Sequence, residues 1–352
     1  MIHWLSPGDP ARRTGGFLYN ARVIAELQAA GHRTAPHRVR GHRVRVHRID
    51  ADWPLPSHPP PLPLLPHGAR VVADGLLLTG MADALRSRPD LEVLALVHSP
   101  LEREGGGEEA RGRERAALGA CAHVVATSEA TAAELRELTG QAVSVVVPGT
   151  DPATPAPVGP GHRLLCPAHL IARKGHRVLL DALRTLDALP ETGALNATKK
   201  THWTLDLVGS LSADPVTAAH VQAEAAALGP RVRLRGECDA AGMEAAYASA
   251  DLVVLPSHYE AFGMVLTEAV ARGRPVLCTP AGAVPLLGDA AQVVPVGDAA
   301  ALADGLAHWL DDPELRARRR AAAMDAATTL PRWPAQAARL AACFSDSGHC
   351  RP

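Results

Sequence analysis

The sequence predicts an α/β protein built from two successive Rossmann-like domains, and three observations predict it. Short apolar runs of strand length alternate with segments of helical period for most of the 352 residues, the pattern of parallel sheets covered on both faces. The alternation stops at Pro148–Gly161 (PGTDPATPAPVGPG), which is too dense in Pro and Gly to continue either element, and then restarts. At roughly 150 residues per domain, a chain of this length is expected to hold two.

In the first half, Ile2–Leu5, Val71–Ala73, Val93–Val97, His123–Ala126 and Val143–Val147 read as strands, with helices over Tyr19–Ala30, Glu108–Gly119 and Glu129–Leu138. In the second half, Arg163–Cys166, Leu205–Val208, Val232–Arg235, Leu252–Leu255, Pro275–Cys278 and Gln292–Pro295 read as strands, with helical patterns filling the gaps. The expected division is a first domain over 1–150, a linker over 151–161, a second domain over 162–330, and a closing helix with a tail over 331–352. Two segments fall outside the alternation. Trp53–Pro66 carries seven prolines and reads as an extended surface loop. Gly31–Arg48 places His32, His37, His42 and His47 among arginines, and reads as a strand hairpin with a solvated basic side. The alternative is a basic face for an acidic acceptor or a phospholipid surface, so peripheral membrane contact stays open.

Composition narrows the function. With 36 Lys+Arg against 37 Asp+Glu the net charge is -1, which argues against bulk polyanion binding and so against a nucleic-acid partner. No apolar run approaches the ~18 residues of a membrane helix, and the start, MIHWLSPG, has no basic, apolar and cleavage regions of a signal peptide. The six cysteines (121, 166, 238, 278, 343, 350) are scattered without a Cys-x-x-Cys and read as reduced thiols of a cytoplasmic protein. Cys343, His349 and Cys350 read as part of a tail rather than as a metal site. Only Lys174, Lys199 and Lys200 of the 36 cations are lysines, which singles out Lys174 in a chain that otherwise writes arginine.

Four segments carry candidate chemistry. In Pro256–Ala269 (PSHYEAFGMVLTEA) a strand ends, Glu260 lies in the following loop, and Gly263 precedes a helix that contains Glu268. The amides from Phe262 through Gly263 and Met264 to Val265 would favour an anion, and the two carboxylates, acceptors only, suit sugar hydroxyls. The bland alternative is a capping acid plus a surface acid. In Ala168–His176 (AHLIARKGH), Arg173 offers a planar fork and Lys174 a compact charge to a diphosphate; otherwise they are solvated cations at a helix start, which the dipole opposes. Gly15 and Gly16 precede the helix from Tyr19, so backbone can approach a phosphate closely, or simply turn. His98 ends the strand Val93–Val97, where it is either structural or chemically active.

The stretch Glu260-x7-Glu268, with Pro256-Ser257, Phe262-Gly263, Ala269, Gly273 and Pro275-Val276, closely resembles the E-x7-E signature of retaining glycosyltransferases of family 4, and every fixed position is kept. The resemblance extends over nearly the whole chain and implies the GT-B fold, with a cleft between the two domains that closes around the linker. It implies that Glu260 contacts the donor sugar, Glu268 the ribose of the nucleotide, and Lys174 the donor pyrophosphate. It also implies that Gly16 meets the pyrophosphate or sugar, that His98 orients the donor sugar, and that loops at Gly209 and Gly236 line the nucleotide. Thr127-Ser128 resembles a strand-end motif, or else Ser128 is a helix N-cap. Two positions depart from the family pattern. His169 stands where the family has Arg, so either Arg173 takes over the charge, or a protonated His169 binds phosphate, or phosphate binding is weaker. Leu286 replaces a frequent Glu.

The implied activity is metal-independent transfer of a sugar, hexosyltransferase-like, from a nucleotide diphosphate sugar to an acceptor hydroxyl with retention of anomeric configuration. No cofactor is expected, because Arg173, Lys174 and helix-end amides would stabilise the departing diphosphate. The same-face attack assisted by the leaving phosphate is favoured over a covalent intermediate. The alternative is a catalytically degenerate GT-B subunit that binds or scaffolds a partner. A phosphorylase using a Schiff-base lysine is disfavoured, since Lys199 and Lys200 are the only other lysines.

Overall fold

A computed structural model describes residues 1–8, 14–32, 43–49, 62–78, 80–188 and 202–344. Two compact units form, one from Met1–Gly149 with Pro331–Pro352, the other from Thr150–Leu330. Each carries one six-stranded, wholly parallel sheet with helices around it.

In the first unit the strands are β1 (Ile2–Pro7), β2 (Val44–Ile49), β3 (Arg70–Asp74), β4 (Glu92–Val97), β5 (His123–Ala126) and β6 (Ser144–Val145), in the order β2-β1-β3-β4-β5-β6. The central strands are apolar on both faces, as expected of a sheet sandwiched between helices: β4 is buried from Val93 to Val97. The edge strand β2 is mixed, with Arg45 and Arg48 exposed and Ile49 buried. It pairs in parallel with β1, Ile2 opposite Val44, so it is not one arm of a hairpin made with β1. The helix Gly15–His32 supplies the crossover between them. The side chains of His32, His37 and His42 lie outside the described residues, while His47 stacks on His3 with Nε2 3.0 Å from Nδ1. That helix starts at Gly15, four residues before the expected Tyr19, so the glycine pair forms its first turn rather than a turn preceding it. Most of the Pro-rich segment lies outside the described residues, but its end is not a surface loop: Leu62 and Leu65 are buried in the core beside Val71 and Val93.

The helix Trp333–Ala342 packs on Gly15–His32, with the Trp333 ring edge-on to Tyr19 at 5.8 Å. Gly149 ends the first pass of the chain through this unit against Trp333. A Cβ there would sit 2.4 Å from the Trp333 amide nitrogen, so only glycine lets the two backbones meet. His349 and Cys350 lie outside the described residues.

In the second unit the strands are β7 (Arg163–Pro167), β8 (Thr204–Val208), β9 (Val232–Gly236), β10 (Leu252–Leu255), β11 (Val276–Cys278) and β12 (Ala291–Val293), in the order β12-β11-β10-β7-β8-β9. Residues 150–161 form no helix or strand, yet they are tied to this unit. Gly161 N donates to Asp251 Oδ2 at 3.0 Å, Trp309 Nε1 donates to Gly161 O at 2.8 Å, and Ala156 N donates to Arg272 O at 2.9 Å. Buried Asp251 also accepts from the backbone and guanidinium of Arg163, which fixes where β7 begins. Lys199 and Lys200 lie outside the described residues. Among the described residues no helix is long and apolar enough to cross a membrane, and none of the five described cysteines forms a disulfide.

Candidate functional site

Sheet order locates the site. In the second unit the chain leaves β7 towards β8 and β9 on one side, then returns to place β10 on the other. Loops after β7 and β10 therefore diverge around one point at the carboxyl edge, the place where open α/β sheets bind ligands. These two loops hold Lys174 and Glu260.

The loop after β7 turns through a short 3-10 helix, Ala172–Lys174, and ends at Gly175, whose φ of 67° is left-handed. A Cβ at Gly175 would lie 2.0 Å from the Pro256 carbonyl oxygen, so glycine alone lets this loop press on the start of the other. His258 N donates to Arg173 O at 2.8 Å, and the Arg173 guanidinium donates to Tyr259 O at 3.2 Å. The contact brings Lys174 Nζ to 2.5 Å from Glu260 Oε2, with the two side chains only 16% and 13% exposed. Ser257 Oγ donates to the same carboxylate oxygen at 3.3 Å. Lys174 and Glu260, each expected to meet a different part of a ligand, thus meet each other.

Gly263, at φ 88°, starts the helix Met264–Ala271, and no side chain caps that end. Met264 and Val265 form the first turn of that helix. Phe262 does not offer its ring to a ligand: it is buried in the core, and its carbonyl accepts from Ala283 N at 2.8 Å. Glu268, on the same helix, accepts a hydrogen bond from Tyr247 Oη at 2.8 Å. Burial pushes the Glu268 carboxyl up, while the Tyr247 hydroxyl and Arg272 pull it back down. Arg272 lies over the Tyr247 ring at 4.8 Å and donates to Glu268 O.

His169 differs from the expected phosphate cation. Its Nδ1 accepts from Ser210 N at 2.9 Å, so in this arrangement that nitrogen carries no proton. The bond ties the loop after β7 to the loop after β8. Gly209 belongs to the same junction: a Cβ there would lie 2.2 Å from Ala168 O, so the glycine serves close backbone approach. Gly236, at φ 69°, faces open space, and its carbonyl accepts from Gly209 N at 2.9 Å. Cys166 lies one residue before the end of β7 and Cys278 ends β11, and burial pushes both thiols up to about 12, which disfavours the thiolate form.

The first unit gathers its own predicted residues at its own switch point, where β2 and β3 flank β1. Gly16 touches the His98 ring, since a Cβ on it would be 3.0 Å from Cδ2. Gly15 lies beside it in the same helical turn and is exposed. His98 Nε2 is 3.0 Å from Asn20 Oδ1, and Asn20 Nδ2 donates to Asp74 Oδ2 at 2.5 Å. Ser128 is an N-cap, its Oγ accepting from Thr131 N at 3.1 Å, so the structural reading holds there. Sequence reasoning missed Asn20, Asp74, Ser257 and Tyr247. Asp74 had a signal, as an acid closing an apolar strand at the binding edge; Asn20 follows Gly16 by one helical turn. Among the described residues no group of three or more His, Cys, Asp or Glu side chains gathers as metal ligands do. An Asp-x-Asp pair, Asp50 and Asp52, is present in the sequence but lies outside the described residues.

Comparison with known proteins places this geometry. Residues 161–312 match the family model of glycosyl transferases group 1. A D-inositol 3-phosphate glycosyltransferase of Corynebacterium glutamicum is 35% identical over 139 residues, 39% of this chain and 33% of that protein. A phosphatidyl-myo-inositol mannosyltransferase of Mycobacterium leprae is 35% identical over 158 residues, 44% of this chain and 38% of that protein. The chain thus matches these curated relatives over little more than a third of their length. Some solved structures match over nearly the whole of both chains. Sucrose-phosphate synthase of Thermosynechococcus elongatus aligns with a TM-score of 0.76 at 23% identity, over 98% of both chains. Anabaena HepE, solved with UDP and glucose, aligns with a TM-score of 0.70 at 17% identity, over 98% of this chain and 99% of that one. The chain has the α/β fold of the GT-B glycosyltransferases, and its residues 161–312 carry the sequence pattern of glycosyl transferases group 1.

Proposed function

We propose that the chain is a glycosyltransferase that moves a sugar from a nucleotide diphosphate donor to an acceptor hydroxyl, with retention at the anomeric carbon. The observation that carries this reading is the meeting of Lys174 and Glu260 at the switch point of the second sheet. A compact cation and an acceptor-only carboxylate held side by side suit a ligand that is anionic at one end and hydroxylated at the other. Glu268 lies on the helix Met264–Ala271 that follows the Glu260 loop, and this reading gives it the ribose.

In this reading Lys174 and Arg173, with the amides of Met264 and Val265, stabilise the charge that develops on the departing diphosphate. They do so without help from a metal ion. Glu260 takes donor-sugar hydroxyls and Glu268 those of the ribose. The carboxylates hold position and do not attack, so the incoming hydroxyl enters on the face the diphosphate leaves, assisted by a phosphate oxygen. The reading places the chain in the cytoplasm, where nucleotide sugars are made, and leaves the acceptor to the first unit.

Calorimetric titration with UDP-, GDP- and ADP-sugars tests it, UDP-glucose first because HepE holds UDP and glucose. Saturable binding that falls at least tenfold in Lys174→Ala is expected, since a charge-assisted hydrogen bond contributes about 1.5–3 kcal/mol. Absence of binding to every donor, or unchanged binding in Lys174→Ala, would sink the assignment.

A further inference from the structure

The polar chain behind His98 has a direction. Asp74 closes β3 and is 2% exposed. Its carboxylate only accepts: Leu76 N donates to Oδ1 at 2.9 Å, and Asn20 Nδ2 donates to Oδ2 at 2.5 Å. An acceptor-only neighbour obliges the Asn20 amide to turn its NH2 group towards Asp74, so its Oδ1 must face the other way. That oxygen lies 3.0 Å from His98 Nε2. Two oxygens that only accept therefore flank Nε2, because Asp74 Oδ2 is also 3.5 Å from it. The nitrogen must carry a proton to satisfy either one. In the neutral ring the lone pair then resides on Nδ1.

The ring is held as well as polarised. Gly16 is packed against its Cδ2 edge, where a Cβ would come to a tight 3.0 Å, and the Tyr19 ring meets it edge-on at 5.1 Å. Thr127 Oγ1 donates to the His98 carbonyl at 3.2 Å, which fixes the backbone end. His98 nevertheless keeps 18% of its side chain exposed, so the ring is reachable by a ligand.

We propose that Asn20 and Asp74 are positioning residues that lock His98 in the Nε2–H tautomer and present Nδ1 as a hydrogen-bond acceptor. The ligand group taken at this point of the first unit is then a hydroxyl. An ionised diphosphate oxygen has no proton to donate to Nδ1, so this corner selects the sugar or acceptor end of a ligand over its phosphate end. The specificity claim rests on the glycosyltransferase reading; the tautomer claim stands on the geometry alone.

Nitrogen-15 NMR of the full chain labelled at histidine decides the tautomer. Spectra are taken at about pH 8, above the ordinary imidazole range, and the His98 signal is identified as the one lost in His98→Gln. Protonation on Nε2 is expected, and it should give way to a mixture of tautomers in Asn20→Leu. A wild-type ring protonated on Nδ1 overturns the proposal, and this measurement needs no variant of the Asn20–Asp74 pair to fold. The positioning role is read with UDP as the sugar-free probe and UDP-glucose hydrolysis as the sugar-bearing one. In Asp74→Asn, whose amide lets Asn20 flip, kcat for UDP-glucose should fall roughly tenfold, with UDP affinity held within about twofold. Equal loss for UDP and UDP-glucose makes the cluster merely structural and overturns the positioning claim. If the wild type binds no UDP, GDP or ADP derivative, the glycosyltransferase reading fails instead, and the NMR result still judges the tautomer.

Discussion

Neutralising Glu260 should strengthen the binding of a nucleoside diphosphate while it weakens sugar transfer. The reason is the 2.5 Å pairing of Lys174 Nζ with Glu260 Oε2. A diphosphate arriving at this loop finds its lysine already engaged by an anion. Both side chains are well under a third exposed, so solvent screens the pair only weakly. A hydrogen bond to a charged group contributes about 1.5–3 kcal/mol and a neutral one about 0.5–1.5. Glu260→Gln keeps a hydrogen bond from the charged Lys174 ammonium and the contact with Ser257 but removes the carboxylate's charge. The competition relieved, about 1 kcal/mol, corresponds to UDP, GDP or ADP binding up to about fivefold tighter. Turnover of a nucleotide sugar should fall by about 10²-fold or more, as when a charged stabiliser is removed from a reacting centre. Calorimetry at physiological salt gives the first number and donor hydrolysis the second. Equal or weaker nucleoside diphosphate binding in Glu260→Gln would refute the competition, because it would show that the carboxylate helps hold the diphosphate rather than contending with it.

Tyr247→Phe removes the hydroxyl that donates to Glu268; UDP affinity should fall about tenfold, that of 2′,3′-dideoxy-UDP should not, and calorimetry with both separates a ribose contact from general damage. Glu114 is fully buried in the helix Gly107–Leu118, and burial pushes its carboxyl from 4.5 up to about 7. The folded chain therefore holds a proton there that the unfolded chain releases near 4.5, so this stability is present at low pH and lost as pH rises through 7. Glu114→Gln should raise the thermal midpoint at pH 8.5, by the equivalent of up to about 3 kcal/mol, and leave it unchanged at pH 4, as scanning calorimetry will show. His176 begins the helix His176–Ala188, and burial lowers it from 6.5 to about 4. Only the unfolded chain takes the proton between these values, so stability present above pH 6.5 is lost as pH falls towards 4. His176→Leu should flatten that acid limb in urea titrations.

Most strands were legible because a doubly covered parallel sheet demands apolar residues on both faces. Leu252–Leu255 and His123–Ala126 show this, and both form strands with those bounds. The edge strand β2 was harder, since one side needs no cover and Arg45 and Arg48 interrupt its valines. The helix start at Gly15 was hidden because glycine is among the poorest helix formers, and the contact of Gly16 with His98 is a tertiary one that no local pattern shows. The site divided the same way. Glu260, Glu268 and Lys174 are residue types in a recognisable spacing. The ion pair between Lys174 and Glu260, and the bonds of Asn20 to Asp74 and Tyr247 to Glu268, join segments far apart in sequence. No local pattern encodes them, because sheet order alone brings those segments together.

His169 shows what that difference means for mechanism. The resemblance puts an arginine at its position, and the sequence alone allowed the ring, once protonated, to stand in as the phosphate cation. In the fold its Nδ1 accepts the Ser210 amide at 2.9 Å, and protonating that nitrogen would set two donors against each other. The ring therefore gains a positive charge only by giving up the bond that ties the loop after β7 to the loop after β8. In the proposed reading the cationic work falls to Lys174, which the pressing of Gly175 on Pro256 brings beside Glu260, and to Arg173, which donates to Tyr259 O. His169→Asn tests this without touching charge, because an asparagine carbonyl can accept the same amide. UDP affinity measured by calorimetry should stay within about threefold of wild type, and Lys174→Ala should lose at least about tenfold in the same series. A collapse of binding in His169→Asn equal to that in Lys174→Ala would make the imidazole the missing cation after all.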